Sequence, residues 1–173
     1  MQIRRKIATA LAAAATGALP VSAAAQEACL TETQVSAMVV YGVPLAMGGL
    51  QQSCGEVLSP DGFLATGAPA MADRYAAQSD AAWPDAFSAF LSFAGSGGQE
   101  GVSAMREMPE EALRPFLDAL ITGLIANEVK PEKCGNIERL LEVLAPLEPF
   151  EAGRLAAVIA AMAGVEDPEI CDS

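Results

Sequence analysis

The side chains best placed for acid–base chemistry are carboxylates, because the sequence contains no histidine. Two carboxylates can act as acid and base, as in glycoside hydrolysis, whereas mechanisms that depend on imidazole are excluded. Most of the available glutamates stand at expected helix starts or on polar helix faces, where they favour the helix dipole or solubility. The sequence therefore predicts a protein that is not an enzyme, with a carboxylate-dependent hydrolase as an alternative. The glutamates considered are Glu110, Glu111, Glu138, Glu142, Glu148 and Glu151.

Met105 and Met108 stand three residues apart, a spacing that can offer two soft thioether ligands to Cu(I) in an exported protein. Other methionines are scattered along the chain, and this flexible side chain also fills irregular gaps in a core. The acidic C-terminal segment 166–172 lacks the alternating ligands of a calcium loop. We therefore expect core packing for the methionines, and neither a metal nor another cofactor.

Aromatic side chains are concentrated just before the most glycine-rich stretch of the chain. Trp83, Phe87 and Phe90 recur at steps of four and three residues, which places them on one face of a helix. Residues at this spacing are typical of a helix core, and we favour that interpretation. The alternative is a pocket for a small apolar ligand, and these three residues are its candidate binding residues.

Four cysteines, an even number, predict two disulfides in an oxidising compartment. Redox catalysis and a cysteine-only zinc site are disfavoured, because the chain has no Cys-x-x-Cys motif or similarly close pair. Three pairings are possible. We predict Cys29 with Cys54 and Cys134 with Cys171, because each pair brackets one helical segment and closes a short loop.

The N-terminal 25 residues have the features of a secretory signal peptide. Three basic residues at 4–6 precede an uncharged, alanine-rich run over 7–20, and small residues follow up to Ala25. The run is shorter than the roughly 20 residues of a spanning helix, so we expect no membrane insertion after cleavage. The sequence predicts a bacterial protein of the periplasm or the medium, with residues 26–173 forming a single helical domain.

The charge of this mature segment limits its partners. The signal peptide holds three of the ten basic residues and no acidic one, which leaves seven basic and 22 acidic residues and a formal charge of −15. Such a charge repels polyanions, so we expect no nucleic acid as a partner. The remaining partners are another protein or a small apolar ligand, neither of which the sequence identifies.

Capping and proline signals predict a succession of helices. The capping box Thr31–Gln34 begins the first helix, which is expected to end at Gly48-Gly49, with a strand over 39–43 as the alternative. Further helices are expected to start near Pro60, Pro84, Pro109, Asn136 and Pro149, and Gly164 is expected to end the last. Apolar residues expected to face inward in the last three helices are Leu113, Phe116, Leu117, Leu120, Ile121 and Leu124, then Ile137, Leu140, Leu141 and Leu144, then Phe150, Leu155, Val158, Ile159 and Met162.

Segment 95–101 contains four glycines in seven residues, which predicts a flexible loop between two halves of the domain. Strand signals are scarce, so the expected fold is all-α, a compact bundle of five to seven short helices stapled by two disulfides. The expected function is that of an exported, soluble, non-catalytic helical protein that acts by binding or protein interaction. A periplasmic carrier of a small apolar ligand is the main alternative.

Overall fold

A computed structural model describes residues 29–96, 99–165 and 169–171 of the chain, so the predicted signal peptide lies outside it. Within these ranges the backbone is helical apart from turns and one parallel β-bridge between Leu30 and Ile170. The all-α prediction is confirmed. The helices are α1 (Glu32–Cys54), α2 (Phe63–Thr66), α3 (Ala68–Ser96), α4 (Gln99–Glu107), α5 (Glu110–Glu128), α6 (Cys134–Leu144) and α7 (Pro149–Met162), with a 3-10 turn at Pro131–Lys133 before α6.

Helix α1 begins at the predicted capping box. The Thr31 hydroxyl accepts a hydrogen bond from the Gln34 backbone N–H at 3.2 Å, and the Gln34 side chain accepts one from the Thr31 N–H at 2.9 Å. The strand alternative over 39–43 is wrong, and so is the expected end at Gly48-Gly49. The helix continues because Gly49 lies against α5, where an added Cβ would stand 2.8 Å from the Thr122 carbonyl oxygen. The glycine is there for close helix packing.

Helix α1 forms the centre of the structure and packs against α3, α5 and α7. One hydrophobic cluster joins Val40 and Tyr41 of α1 to Trp83 of α3, and a second joins Met47 to Tyr75. Among the described residues, α1 is the one helix whose length and composition would allow it to cross a membrane. A central helix covered on several sides has the same apolar composition.

Helix α3 is continuous where the prolines predicted separate helices. It runs through Pro84, although proline removes a hydrogen bond from the helix interior. Met71, Tyr75, Ala82 and Ala86 follow one another at steps of four and seven residues, and all are buried. Burial of this single long face offsets the local cost of the proline.

The glycine-rich segment 95–101 contains more regular structure than predicted. Helix α3 runs through Ser96 and α4 begins at Gln99, while residues 97 and 98 lie outside the described part. The expectation of irregular backbone is therefore wrong for the helical residues of this segment. Val102 of α4 is buried, and this packing stabilises a short helix that contains the unfavourable Gly101.

Two disulfides are present, but both predicted pairings are wrong. Cys29 is bonded to Cys171, and Cys54 is bonded to Cys134, with Cα–Cα distances of 5.0 and 5.6 Å. Cys54 is the last residue of α1 and Cys134 the first of α6, and the fold buries both at one place. Short sequence separation favoured the other pairings, but the tertiary packing of distant segments decides which sulfurs meet.

Candidate interaction surface

The three aromatic residues singled out as pocket residues belong to one hydrophobic cluster with Tyr41. Trp83 and Phe87 stack with ring centroids 5.2 Å apart, and Tyr41 of α1 lies 5.1 Å from Trp83 and 6.5 Å from Phe90. Trp83 is only 5% exposed, and the two phenylalanines are half-buried. The rings pack on one another and on α1, which is the arrangement expected of a core. Their use as a ligand pocket stays a prediction.

Arg114 covers this aromatic cluster from α5. Its guanidinium carbon lies 4.6 Å from the Trp83 ring centroid, and its Nη1 donates a hydrogen bond to Asp80 at 2.5 Å. Its Nε lies 2.9 Å from Glu110 Oε1 as an ion pair, at an angle that does not make a hydrogen bond. Burial acts to lower the pKa of Arg114, but the hydrogen bond to Asp80 and the nearby negative charges outweigh it and raise the pKa. The residue connects α3 and α5.

Tyr41 and Asp118 join α1 to α5 by a hydrogen bond of 2.5 Å from the phenol to the carboxylate. Two effects raise the pKa of the Tyr41 phenol well above its ordinary value: its burial, which is the larger, and this hydrogen bond to Asp118. The phenol therefore stays protonated and acts as a hydrogen-bond donor. This arrangement positions helices, and the proton is not available to a base near neutral pH.

Several of the glutamates considered for catalysis have structural partners. Glu138 accepts a hydrogen bond from the Leu64 N–H at 2.9 Å and so caps α2, and Glu110 pairs with Arg114. In the described ranges, no group of three His, Cys, Asp or Glu side chains is arranged to hold a metal ion. Met105 and Met108 are half-buried against the aromatic cluster. This placement agrees with core packing.

A hollow of about 240 Å³ lies on another part of the surface, at the C-terminal end of α1. Its walls come from α1, the turn after it and α2, and they are mostly apolar. It has no titratable side chain in its lining, and it therefore offers shape without acid–base chemistry. The lining residues are Gln51, Gly55, Leu58, Ser59, Pro60, Leu64 and Ala65.

The largest departure from the sequence analysis is in α7. Leu155, Val158, Ile159 and Met162 were expected to face inward, and that expectation is wrong. They are 42%, 48%, 56% and 83% exposed, and their steps of three and four residues place them on one outward face, here called the outer stripe of α7. An apolar helix face of this kind is typical of a surface that binds a partner.

The opposite face of α7 explains why these large residues point outward. Helix α7 buries its small residues Ala152, Gly153 and Ala157 against the rest of the bundle. A Cβ added to Gly153 would stand 2.4 Å from Ser36 Oγ and 2.7 Å from the Ser36 carbonyl oxygen. The backbones of α1 and α7 therefore approach closely, and the larger side chains remain on the outside. The many alanines of α7 were the sequence signal for this arrangement.

Charges border the outer stripe at its start. Arg154 Nε lies 3.1 Å from Glu32 Oε1 of α1, and Arg154 Nη1 lies 3.9 Å from Glu151. Glu148, the N-cap residue of α7, is exposed as well. At this end of the helix, two carboxylates therefore pair with one guanidinium, and Glu148 adds a third carboxylate near the start of the helix.

The other end of α7 is closed by a glycine turn. Gly164 has a φ of +65°, and the Val165 N–H donates to the Ala160 carbonyl oxygen at 3.3 Å. Gly164 therefore ends the helix as predicted. The last turn has no basic residue, and the sequence after Val165 contains four acidic residues and no basic one.

Helices α5 and α6 also expose apolar residues that were expected to face inward. Phe116, Leu120 and Leu124 form a row at four-residue steps on α5, and Leu140 of α6 is exposed beside Val143. The expectation is correct for Leu113 and Leu117, which are buried. The spacing of apolar residues on α5 and α6 predicted a wider buried face than these helices have.

These features define a disulfide-stapled, all-α protein whose last three helices carry apolar residues on their outer sides. No protein-family model matches the chain, and searches of curated proteins and of solved structures find no match either.

Proposed function

We propose that this is an exported, non-catalytic helical protein that acts by binding another protein through the outer stripe of α7. The observation that carries the proposal is the outward position of Leu155, Val158, Ile159 and Met162 on a helix whose other face is already packed. Contiguous apolar area on a strongly charged protein is favourable to bury, and methionine is enriched at protein interfaces.

Two features support export in this proposal. Disulfides form and persist outside the reducing cytosol, and all four cysteines of the chain are paired. The basic residues and apolar run of segment 1–25 are typical of a signal peptide. We place the mature protein in a bacterial periplasm or in the medium.

Site-specific photocrosslinking in the cells that produce the protein tests this function. A photoreactive residue at Ile159 is expected to form an adduct of defined mass with a second protein. The matched control is Val57, in the turn after α1, whose exposure of 55% is close to the 56% of Ile159. The adduct at Ile159 should decrease when Leu155 is replaced by glutamine. No adduct at Ile159, or equal adducts at both positions, would contradict the proposal.

A further inference from the structure

We propose that the partner presents a cationic amphipathic helix to the outer stripe of α7, with its lysine or arginine side chains beside the acidic ends of that helix. This inference rests on the proposed function and adds the chemistry of the partner.

The shape of the stripe suits a helix. Its four residues occupy the steps i, i+3, i+4 and i+7, a length of about 10 Å at 1.5 Å per residue. An apolar helix face of matching spacing can pack its side chains between them. Met162, the most exposed of the four, is unbranched and can adapt to the partner's side chains.

The charges around the stripe determine which sign of charge is favoured on the partner's binding face. At the start of α7, Glu32 and Glu151 pair with Arg154, and the exposed N-cap residue Glu148 adds a further negative charge. At the other end, the peptide dipoles place partial negative charge beside Met162, and no basic residue in the last turn compensates it. A cation on the partner is favoured at both ends.

The same charges disfavour a second copy of this chain as the occupant. Each predicted mature chain carries a formal charge of −15, so two copies repel one another. A small apolar ligand is disfavoured for a different reason, because such ligands are held in concave sites and the stripe is the convex face of one helix. A basic amphipathic helix can cover the apolar stripe of α7 and also complement the negative charge around it.

Fluorescence anisotropy with model peptides tests the inference on the oxidised protein. The probe is a labelled amphipathic peptide of about five helical turns, with leucines at steps of three and four and lysines elsewhere. A second peptide has glutamate in place of every lysine. We expect micromolar binding of the lysine peptide, and binding at least tenfold weaker for the glutamate peptide. Higher ionic strength should weaken the lysine complex.

Variants locate the binding site. Leu155→Gln with Ile159→Gln should weaken binding of the lysine peptide at least tenfold, and Met162→Gln alone should weaken it less. The matched control is Leu140→Gln with Val143→Gln on α6, at residues that are 57% and 68% exposed. This control should bind like the parent protein, because its apolar residues lie on another helix. All of these positions are exposed, and unchanged thermal unfolding verifies the fold.

Three results would overturn the inference. If the lysine peptide binds the α7 variants as tightly as the parent protein, the stripe is not its binding site. Equal binding of both peptides to the stripe would remove the cationic requirement, while the proposed function would stand. A dimer by light scattering that the α7 variants convert to monomer would make a second copy the occupant.

Discussion

Gly153 of α7 lies directly against Ser36 of α1, and the Ser36 hydroxyl donates a hydrogen bond to the Phe150 carbonyl oxygen at 3.2 Å. This contact has no room for a side chain on α7. It sets the rotation of the helix about its axis, and through that rotation it decides which α7 residues reach solvent.

Gly153→Ala should therefore destabilise the protein. The new Cβ meets the Ser36 hydroxyl and main chain, and forced separation of packed elements costs about 1 to 3 kcal/mol. Gly42→Ala in α1 is the matched control, because a Cβ there meets no atom within 4 Å and alanine favours a helix. Urea unfolding measures both free energies. Equal stability of the two variants would contradict the close approach of α1 and α7.

Peptide mapping of the oxidised protein should join Cys29 to Cys171 and Cys54 to Cys134. Protease digestion and mass spectrometry without reduction give the linked peptides directly. Peptides linking Cys29 to Cys54 would refute this connectivity.

Replacing both Cys54 and Cys134 by alanine should destabilise the protein by roughly 4 kcal/mol. The estimate comes from the unfolded-chain entropy of a loop whose ends are 80 residues apart in sequence. Denaturant unfolding compares the variant with the oxidised parent. A difference below about 1 kcal/mol would show that this bond adds little to stability.

Arg114→Ala should expose the single tryptophan of the chain and destabilise the protein by about 1 kcal/mol, since the cation over Trp83 and its apolar stem are both lost. Tryptophan emission should shift to longer wavelength. Arg154→Ala is the control, because that ion pair is more exposed and such pairs contribute little. An unchanged emission spectrum in Arg114→Ala would contradict the stacked geometry.

Alkaline titration should show delayed ionisation of both tyrosines. Burial raises the pKa of Tyr41 and of Tyr75 in the folded protein, whereas the unfolded chain titrates near about 10. Their contribution to stability is thus present below that pH and is lost as the pH rises through the folded values. Phenolate absorbance should appear together with unfolding. Reversible titration of both tyrosines near 10 in the folded state would disprove their burial.

Local signals in the sequence predicted local structure well. The Thr31 box begins α1, Pro149 begins α7 and Gly164 ends it, because each depends on the backbone of a few neighbouring residues. The packing of Trp83, Phe87 and Phe90 into one cluster was also foreseeable, since their spacing places them on one helix face.

The outward position of the stripe on α7 was not foreseeable from such local signals. Helix α7 has two apolar faces, one of small residues and one of large residues, and periodicity does not indicate which is covered. Which face of α7 is covered depends on its close approach to α1 at Ser36. Ser36 and its partner Phe150 are more than 100 positions apart in the sequence. The disulfide pairing depends on tertiary packing in the same way.

The Cys29–Cys171 bond, next to the bridge between Leu30 and Ile170, closes the chain between these two cysteines into a covalent ring. A mechanical pull applied to the two tails is carried across this ring by sulfur, so the helices inside it bear no load while the bond is oxidised.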